Sequence, residues 1–195
     1  EVDPDGSITV VTAERHLPYD RPPLSKGILL GADDPDTATP RDAAWYRKQR
    51  VVLRLGDAVA SVDPHAHTAT LVSGERLEWE RLLLATGSSV RRLDVPGAEL
   101  PGVVSLRTLD DSVGLLERLK QGGRVAIVGA GWIGLEVAAA ARSHGCSVVV
   151  VEPQQVPLLG VMGERIGTWF AELHRSHGVD FRFGSGVASI DGTTS

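Results

Sequence analysis

Three observations predict an α/β fold: a strand–helix alternation from residue 109 onward, a glycine turn between an apolar strand and an alanine-rich helix, and a run of short strands between residues 51 and 84. Strands joined through helices pair in parallel, with the helices on the sheet faces. The Ser73-Gly74 turn separates TATLV from ERLEW, which reads as a hairpin within a β-meander. The chain of 195 residues allows one large domain or two small ones, and its 42% hydrophobic content is enough for packed cores. The 22 glycines and 11 prolines point to many tight turns.

In chain order, residues 1–6 read as a polar turn and 7–11 (SITVV) as a strand, with Glu14 just after it. Residues 15–27 are polar and proline-rich and are expected to form a loop of fixed shape, Pro22-Pro23 excluding regular structure there. Residues 33–40 read as a second loop and 41–50 as a short helix. Short strands follow from 51, and the apolar run 82–85 reads as a buried strand leading into Thr86-Gly87. From about residue 109 come a helix (110–120), a strand (124–128), the glycine turn (129–134), a helix to about His144 and a strand (147–151). A helix (163–177) and a strand (180–183) complete the series, and the chain stops at a polar Asp-Gly-Thr-Thr-Ser.

The net charge of −5 is mild, with no basic block, so nucleic acid is not an expected partner. The longest apolar runs, such as 137–141 and 148–151, are too short to cross a bilayer, so no membrane insertion is expected. Cys146 is the one cysteine in the sequence, which excludes an internal disulfide, a CxxC pair or a zinc cluster within it. No leader pattern is seen, and a cytoplasmic location is the expectation. The sequence opens on Glu1 rather than Met, which suggests excision from something longer.

The segment VAIVGAGWIGLEVAAAARSHGCSVVVVE carries the strongest chemical signal. Gly129, Gly131 and Gly134 stand at the three glycine positions of GxGxxG, with Ala130, Trp132 and Ile133 between them. The first glycine permits the tight turn, the second admits a pyrophosphate and the third lets helix pack close to strand. Backbone N–H groups and the helix dipole at such a turn favour phosphate charge. Glu152 ends the second strand, where a carboxylate accepts hydrogen bonds from ribose hydroxyls and repels a 2′-phosphate. No arginine follows it at once, so NAD(H) is expected over NADP(H). Trp132 has two readings, contact with the nicotinamide nucleotide or packing against a neighbouring domain.

Residues 19–27 (YDRPPLSKG), with LLLATGS at 82–88, SLRTLDDS at 105–112 and GAGWIGLE at 129–136, occur in an order that resembles the ferredoxin reductases of Rieske-type oxygenases and bacterial P450 systems, two-dinucleotide-domain flavoproteins. The resemblance runs along nearly the whole chain. It implies a partial FAD-binding Rossmann-like domain with a β-meander over residues 1–108, then the first part of a Rossmann-like NAD-binding domain over 109–195. It implies FAD and NAD as cofactors and a ferredoxin-type iron–sulfur protein as electron acceptor. It assigns Glu14 to the adenosine ribose, Arg21 to the phosphate–ribitol region and Lys26 to the flavin ring, with Pro22 among the cofactor-binding residues. Val59 would meet adenine through its backbone, Ala85, Thr86 and Gly87 would line the cofactor, and Arg107 would approach it from the domain junction. Many relatives carry the ribose acid one position earlier, where this sequence has Ala13.

The resemblance also brings the helix bearing Glu136 against the flavin, opposite Lys26, so these two are expected to form a catalytic ion pair. Read without it, Arg21 and Lys26 are solvated loop charges, Ser25 a helix cap, and Glu136 a carboxylate gaining from the helix dipole. Reductases of this kind begin with a first glycine fingerprint and end with a Gly-Asp flavin contact and a C-terminal interface domain. None of these is in the sequence, so the chain by itself is expected to be inactive. Rubredoxin reductase, NADH oxidase and nitrite reductase subunit are alternatives on the same fold, and a non-catalytic NAD-binding module is an alternative of another class. His65 and His67 follow Asp63-Pro64 and read as a surface turn rather than metal ligands. His174 and His177 read as complements to a helix dipole, and Cys146 as a buried structural thiol.

Overall fold

A computed structural model describes residues 6–192. The polar turn expected at 1–6 and the polar end at 191–195 therefore lie mostly outside the described residues. The chain divides into two compact units, one of residues up to Asp20 with Thr39–Ser88, the other of Arg21–Ala38 with Ser89 onward.

In the first unit, β1 (Ile8–Thr12) and β2 (Val51–Leu55) pair in parallel, Ile8 beside Val51 and Thr12 beside Leu55. The short helix α2, Ala43–Lys48, precedes β2 (α1, Gly27–Leu30, belongs to the second unit), and the Asp42 side chain caps α2 by accepting from the Trp45 N–H at 2.7 Å. Strands β3 (Val59–Asp63), β4 (Thr68–Leu71) and β5 (Arg76–Glu78) form the antiparallel meander, with Gly74 at φ 91° in the expected turn. Asp63 holds the β3–β4 turn by accepting from the N–H groups of His65 and Ala66, and these bonds keep its carboxyl below the usual range. Residues 64–67 form the turn between β3 and β4, as expected for His65 and His67, and His67 stacks on Trp79 at 4.5 Å.

The expected strand at 82–85 does not form. Leu83 and Leu84 are 85% and 68% exposed on an irregular segment. An apolar run of this kind is a strand only when neighbouring strands bond both its edges and bury both its faces. No described strand pairs with it.

In the second unit, β6 (Arg124–Val128), β7 (Ser147–Glu152) and β8 (Val179–Phe183) form a parallel sheet in sequence order. The helices α4 (Trp132–Ser143) and α5 (Leu159–Ser176) provide the two crossovers. Alternate side chains, Val125, Val148 and Val179 with Ile127, Val150 and Phe181, lie in register across it. They pack into a core shared with Leu116 and Leu119 of α3 (Leu109–Lys120), Ala138 and Ala141 of α4, and buried Cys146. A capping box of Thr108 and Asp111 starts α3. Helix α5 begins four residues earlier than the apolar pattern suggests, and Gly163 (φ 75°, ψ 173°) breaks it between two helical stretches.

The proline-rich segment is more regular than expected. Pro22–Ser25 forms a 3-10 turn and Gly27–Leu30 a single helical turn, α1. Two prolines at the start of a turn cost nothing in hydrogen bonds, because the first N–H groups of a helix lack partners in any case. Leu24, Ile28 and Leu29 are buried, and the buried Ser112 hydroxyl donates to the Leu24 carbonyl at 2.6 Å. Residues 33–40 likewise contain a 3-10 turn, Pro35–Ala38.

One close approach fixes α4 on β6. A Cβ at Gly134 would lie 2.1 Å from the Gly129 carbonyl oxygen, so any side chain there must push helix from strand. Gly134→Ala is expected to destabilise the chain by about 1–3 kcal/mol, whereas Gly131→Ala, whose Cβ meets nothing within 4 Å, changes stability far less. Thermal unfolding followed by circular dichroism compares the two, and equal midpoints would contradict the packing argument. A second expectation concerns acid. Burial, and then His177, holds the His174 imidazole below its ordinary 6.5. The unfolded chain then binds the proton first, so stability falls as pH drops from 6.5 toward the folded value, and no further below it. Proton NMR titration of His174 gives its folded value directly, and His174→Phe should flatten the decline over that window.

Candidate dinucleotide-binding site

Strand β6 ends at Val128 and the chain turns at Gly129, whose φ of 100° favours glycine. The turn is tied to β7 by the Gly129 N–H, which donates to the Val151 carbonyl at 2.8 Å. Gly131 is the N-cap of α4 and no side chain caps the helix start. The first N–H groups of α4 therefore keep their capacity to bond an anion, and the space where a Gly131 side chain would stand is open. These features fit a dinucleotide pyrophosphate. Ala130 is buried, whereas Trp132 and Ile133 are 44% and 53% exposed. Trp132 packs edge-on against Phe170 of α5, with ring centres 5.6 Å apart.

Glu152, the last residue of β7, lies beside this turn. Its Oε2 accepts from the Ala130 N–H at 2.7 Å and its Oε1 from the Gln154 N–H at 2.9 Å. Strand pairing delivers it there: β7 runs parallel to β6, so its last residue lies one step past the Val128–Val151 pair, level with the turn. A carboxylate has about four acceptor sites, so two remain for hydroxyl donors.

A second cluster joins the 3-10 turn to α4. Lys26 Nζ lies 3.0 Å from Glu136 Oε1, with the two side chains 54% and 26% exposed. The Ser25 hydroxyl donates to the other carboxylate oxygen of Glu136 at 2.5 Å, and Lys26 also reaches the Pro22 carbonyl at 3.4 Å. Ser25 is a member of this cluster that sequence reasoning missed. After Pro-Pro-Leu a serine reads as a cap, and its partner is 111 positions away. At this exposure the ion pair adds little to stability, and its consequence is a lysine held in one place. Arg21 donates to the Arg107 carbonyl, and the Arg107 and Thr108 N–H groups both donate to Asp111 at 2.9 Å. Lysine and arginine here suit a cofactor with phosphates and an electron-rich ring.

In the first unit, the Glu14 carbonyl accepts from Gly56 at 2.9 Å, so Glu14 lies where β1 and β2 end, the edge at which parallel sheets bind ligands. The Tyr19 hydroxyl donates to the Glu14 carboxylate, a second contact that sequence reasoning missed. Val59 opens β3 and is 44% exposed. Ala85, Thr86 and Gly87 are exposed on the irregular segment, Gly87 at φ 67°. Of the expected site residues, the structure brings together Lys26 with Glu136, Arg21 with Arg107, and Glu152 with Ala130.

No described helix is long and apolar enough to cross a membrane. Comparison with known proteins finds a relative 45% identical over 182 residues, the ferredoxin–NAD(+) reductase component of an anthranilate 1,2-dioxygenase system from Burkholderia cepacia. The match covers 92% of this chain and 44% of the relative. Among solved structures, a ferredoxin reductase of the CYP199A2 system from Rhodopseudomonas palustris superposes with a TM-score of 0.93 at 38% identity, covering 97% of this chain and 46% of that one. A covalent putidaredoxin reductase–putidaredoxin complex matches with a TM-score of 0.91 at 31% identity, again over 97% of this chain and 46% of that one. The chain thus spans less than half the length of these relatives. The family model described as pyridine nucleotide-disulphide oxidoreductase matches residues 3–195, and the chain belongs to that family.

Proposed function

We propose that this chain is the part of an NADH-dependent flavoprotein reductase that binds the nicotinamide dinucleotide and contributes to the FAD site. The parent protein would pass electrons from NADH through FAD to a small ferredoxin-type iron–sulfur protein. The observation that carries the reading is the uncapped glycine turn with the Glu152 carboxylate bonded to it at 2.7 Å. Relatives named as ferredoxin–NAD(+) reductase and putidaredoxin reductase support the class of acceptor. In this reading residues 1–108 serve FAD and 109–195 serve NAD, and the parent works in the cytoplasm.

FAD, when bound, supplies the conversion of a two-electron donor into single-electron steps. The residues of this chain bind and orient. The α4 start and the glycine turn hold the pyrophosphate through N–H groups, and Glu152 takes the ribose hydroxyls. Lys26, held by Glu136, presents a fixed positive charge toward the flavin ring, and that charge favours electron-rich states of the ring over neutral ones. Ser25 keeps the Glu136 carboxylate turned toward Lys26. Arg21, Pro22 and Arg107 support the phosphate–ribitol region. Glu14, Val59 and 85–87 provide the adenosine contacts and the cofactor lining.

Two measurements test this. The purified parent should carry FAD, reduce a [2Fe–2S] ferredoxin with NADH, and show kcat/KM for NADH about 100-fold above that for NADPH, because Glu152 repels a 2′-phosphate. A higher kcat/KM for NADPH overturns the assignment of Glu152. In stopped-flow reduction of the parent's flavin by NADH, Lys26→Ala and Glu136→Ala should each slow the step about tenfold, the loss of one charge-assisted contact. The double variant should be no slower than the slower single, since either truncation spoils the same interaction. Multiplying effects would show that the two residues act separately.

A further inference from the structure

We propose that Glu152 has a second role, as the latch of the glycine turn, and that its carboxylate holds this turn in place before any nucleotide arrives. Ala130 is 1% exposed, and a buried N–H left without an acceptor is costly. Its N–H donates to Glu152 Oε2 at 2.7 Å, its carbonyl accepts from the Leu158 N–H at 3.2 Å, and the preceding Gly129 is bonded to Val151. Glu152 Oε1 takes the Gln154 N–H at 2.9 Å, so one side chain closes both the turn after β6 and the bend after β7.

Both backbone groups are donors, so both ends of the side chain must be acceptors. A carboxylate meets that demand and has two acceptor sites left for the two ribose hydroxyls. A glutamine of the same shape does not, because its NH₂ group would face one backbone N–H with another donor. Replacement of Glu152 by glutamine, the obvious way to remove the charge that opposes a 2′-phosphate, therefore loosens the turn that holds the pyrophosphate. Glu152 thereby acts on the dinucleotide twice, once through the ribose and once, as a positioning residue, through the backbone of the turn. The second action rests on the reading above that this turn takes NAD, and the latch itself does not.

Hydrogen exchange on the parent protein free of nicotinamide dinucleotide, read amide by amide, tests the latch. In the wild type, the Ala130 amide should be protected and show a through-hydrogen-bond coupling to the Glu152 carboxyl carbon. In Glu152→Gln, either the Ala130 or the Gln154 amide should exchange at least about tenfold faster, while amides of α3 and β8 keep their rates. Unchanged exchange at both positions overturns the latch, as does an unprotected Ala130 amide in the wild type, a measurement that needs no variant to fold. Titration with NAD+ and with an analogue lacking both hydroxyls of the adenosine ribose separates the two actions. Weaker binding of the dideoxy analogue by Glu152→Gln than by wild type supports positioning through the turn, whereas equal binding overturns it. A wild type that binds neither nucleotide yet shows the exchange pattern removes the dinucleotide reading and leaves the latch standing.

Discussion

The seating of α4 on β6 is the constraint on which the second unit depends. Gly134 lies so near the Gly129 carbonyl that helix and strand meet without a side chain between them. That contact sets where the helix begins, and with it the direction of the N–H groups at its start. It also sets the side of the helix on which Glu136 emerges, two residues further on. The phosphate end and the Lys26 end of the candidate site are therefore positioned by one helix. A shift of α4 would disturb both, which is why a glycine with no chemistry of its own matters to the helix start and to the Glu136 contacts alike.

Small polar groups hold the rest of the cluster. Ser112, fully buried on α3, bonds the Leu24 carbonyl, and the His144 ring at the end of α4 meets the Leu29 carbonyl at 3.1 Å. Ser25 bonds Glu136 in turn. The 3-10 turn and α1 thus lie against two helices, with the Leu24 and Leu29 carbonyls met by side chains and Leu24, Ile28 and Leu29 in the core. In the proposed function, a segment pinned in this way would lose little further entropy when the cofactor meets Lys26.

The first unit has the opposite character. Its parallel pair is two strands wide, Ile8 and Val52 stay 59% and 41% exposed, and Leu83 and Leu84 are largely exposed. Parallel strands gain most of their stability from layers covering both faces. In this unit the meander is closed by local hairpins, since antiparallel pairs need only short turns to bring their partners together.

The sequence by itself determined the alternation of elements from 109 onward, because apolar periodicity and glycine spacing report strands, helices and the turn between them locally. It also determined the glycine fingerprint with Glu152, since the unit lies within about thirty residues. The pairing of Lys26 with Glu136 was legible only through family resemblance, as the two are far apart in the chain. Tertiary structure decided the remainder. Pro22-Pro23 began a turn instead of preventing one, because core burial of Leu24 and the Ser112 bond rewarded it. The run at 82–85 lay exposed because strand formation depends on neighbours that an apolar pattern cannot guarantee. Ser25 on Glu136 and Glu152 on Ala130 depend on hydrogen-bond geometry between groups that only folding brings within 3 Å, and no local pattern encodes a distance of that kind.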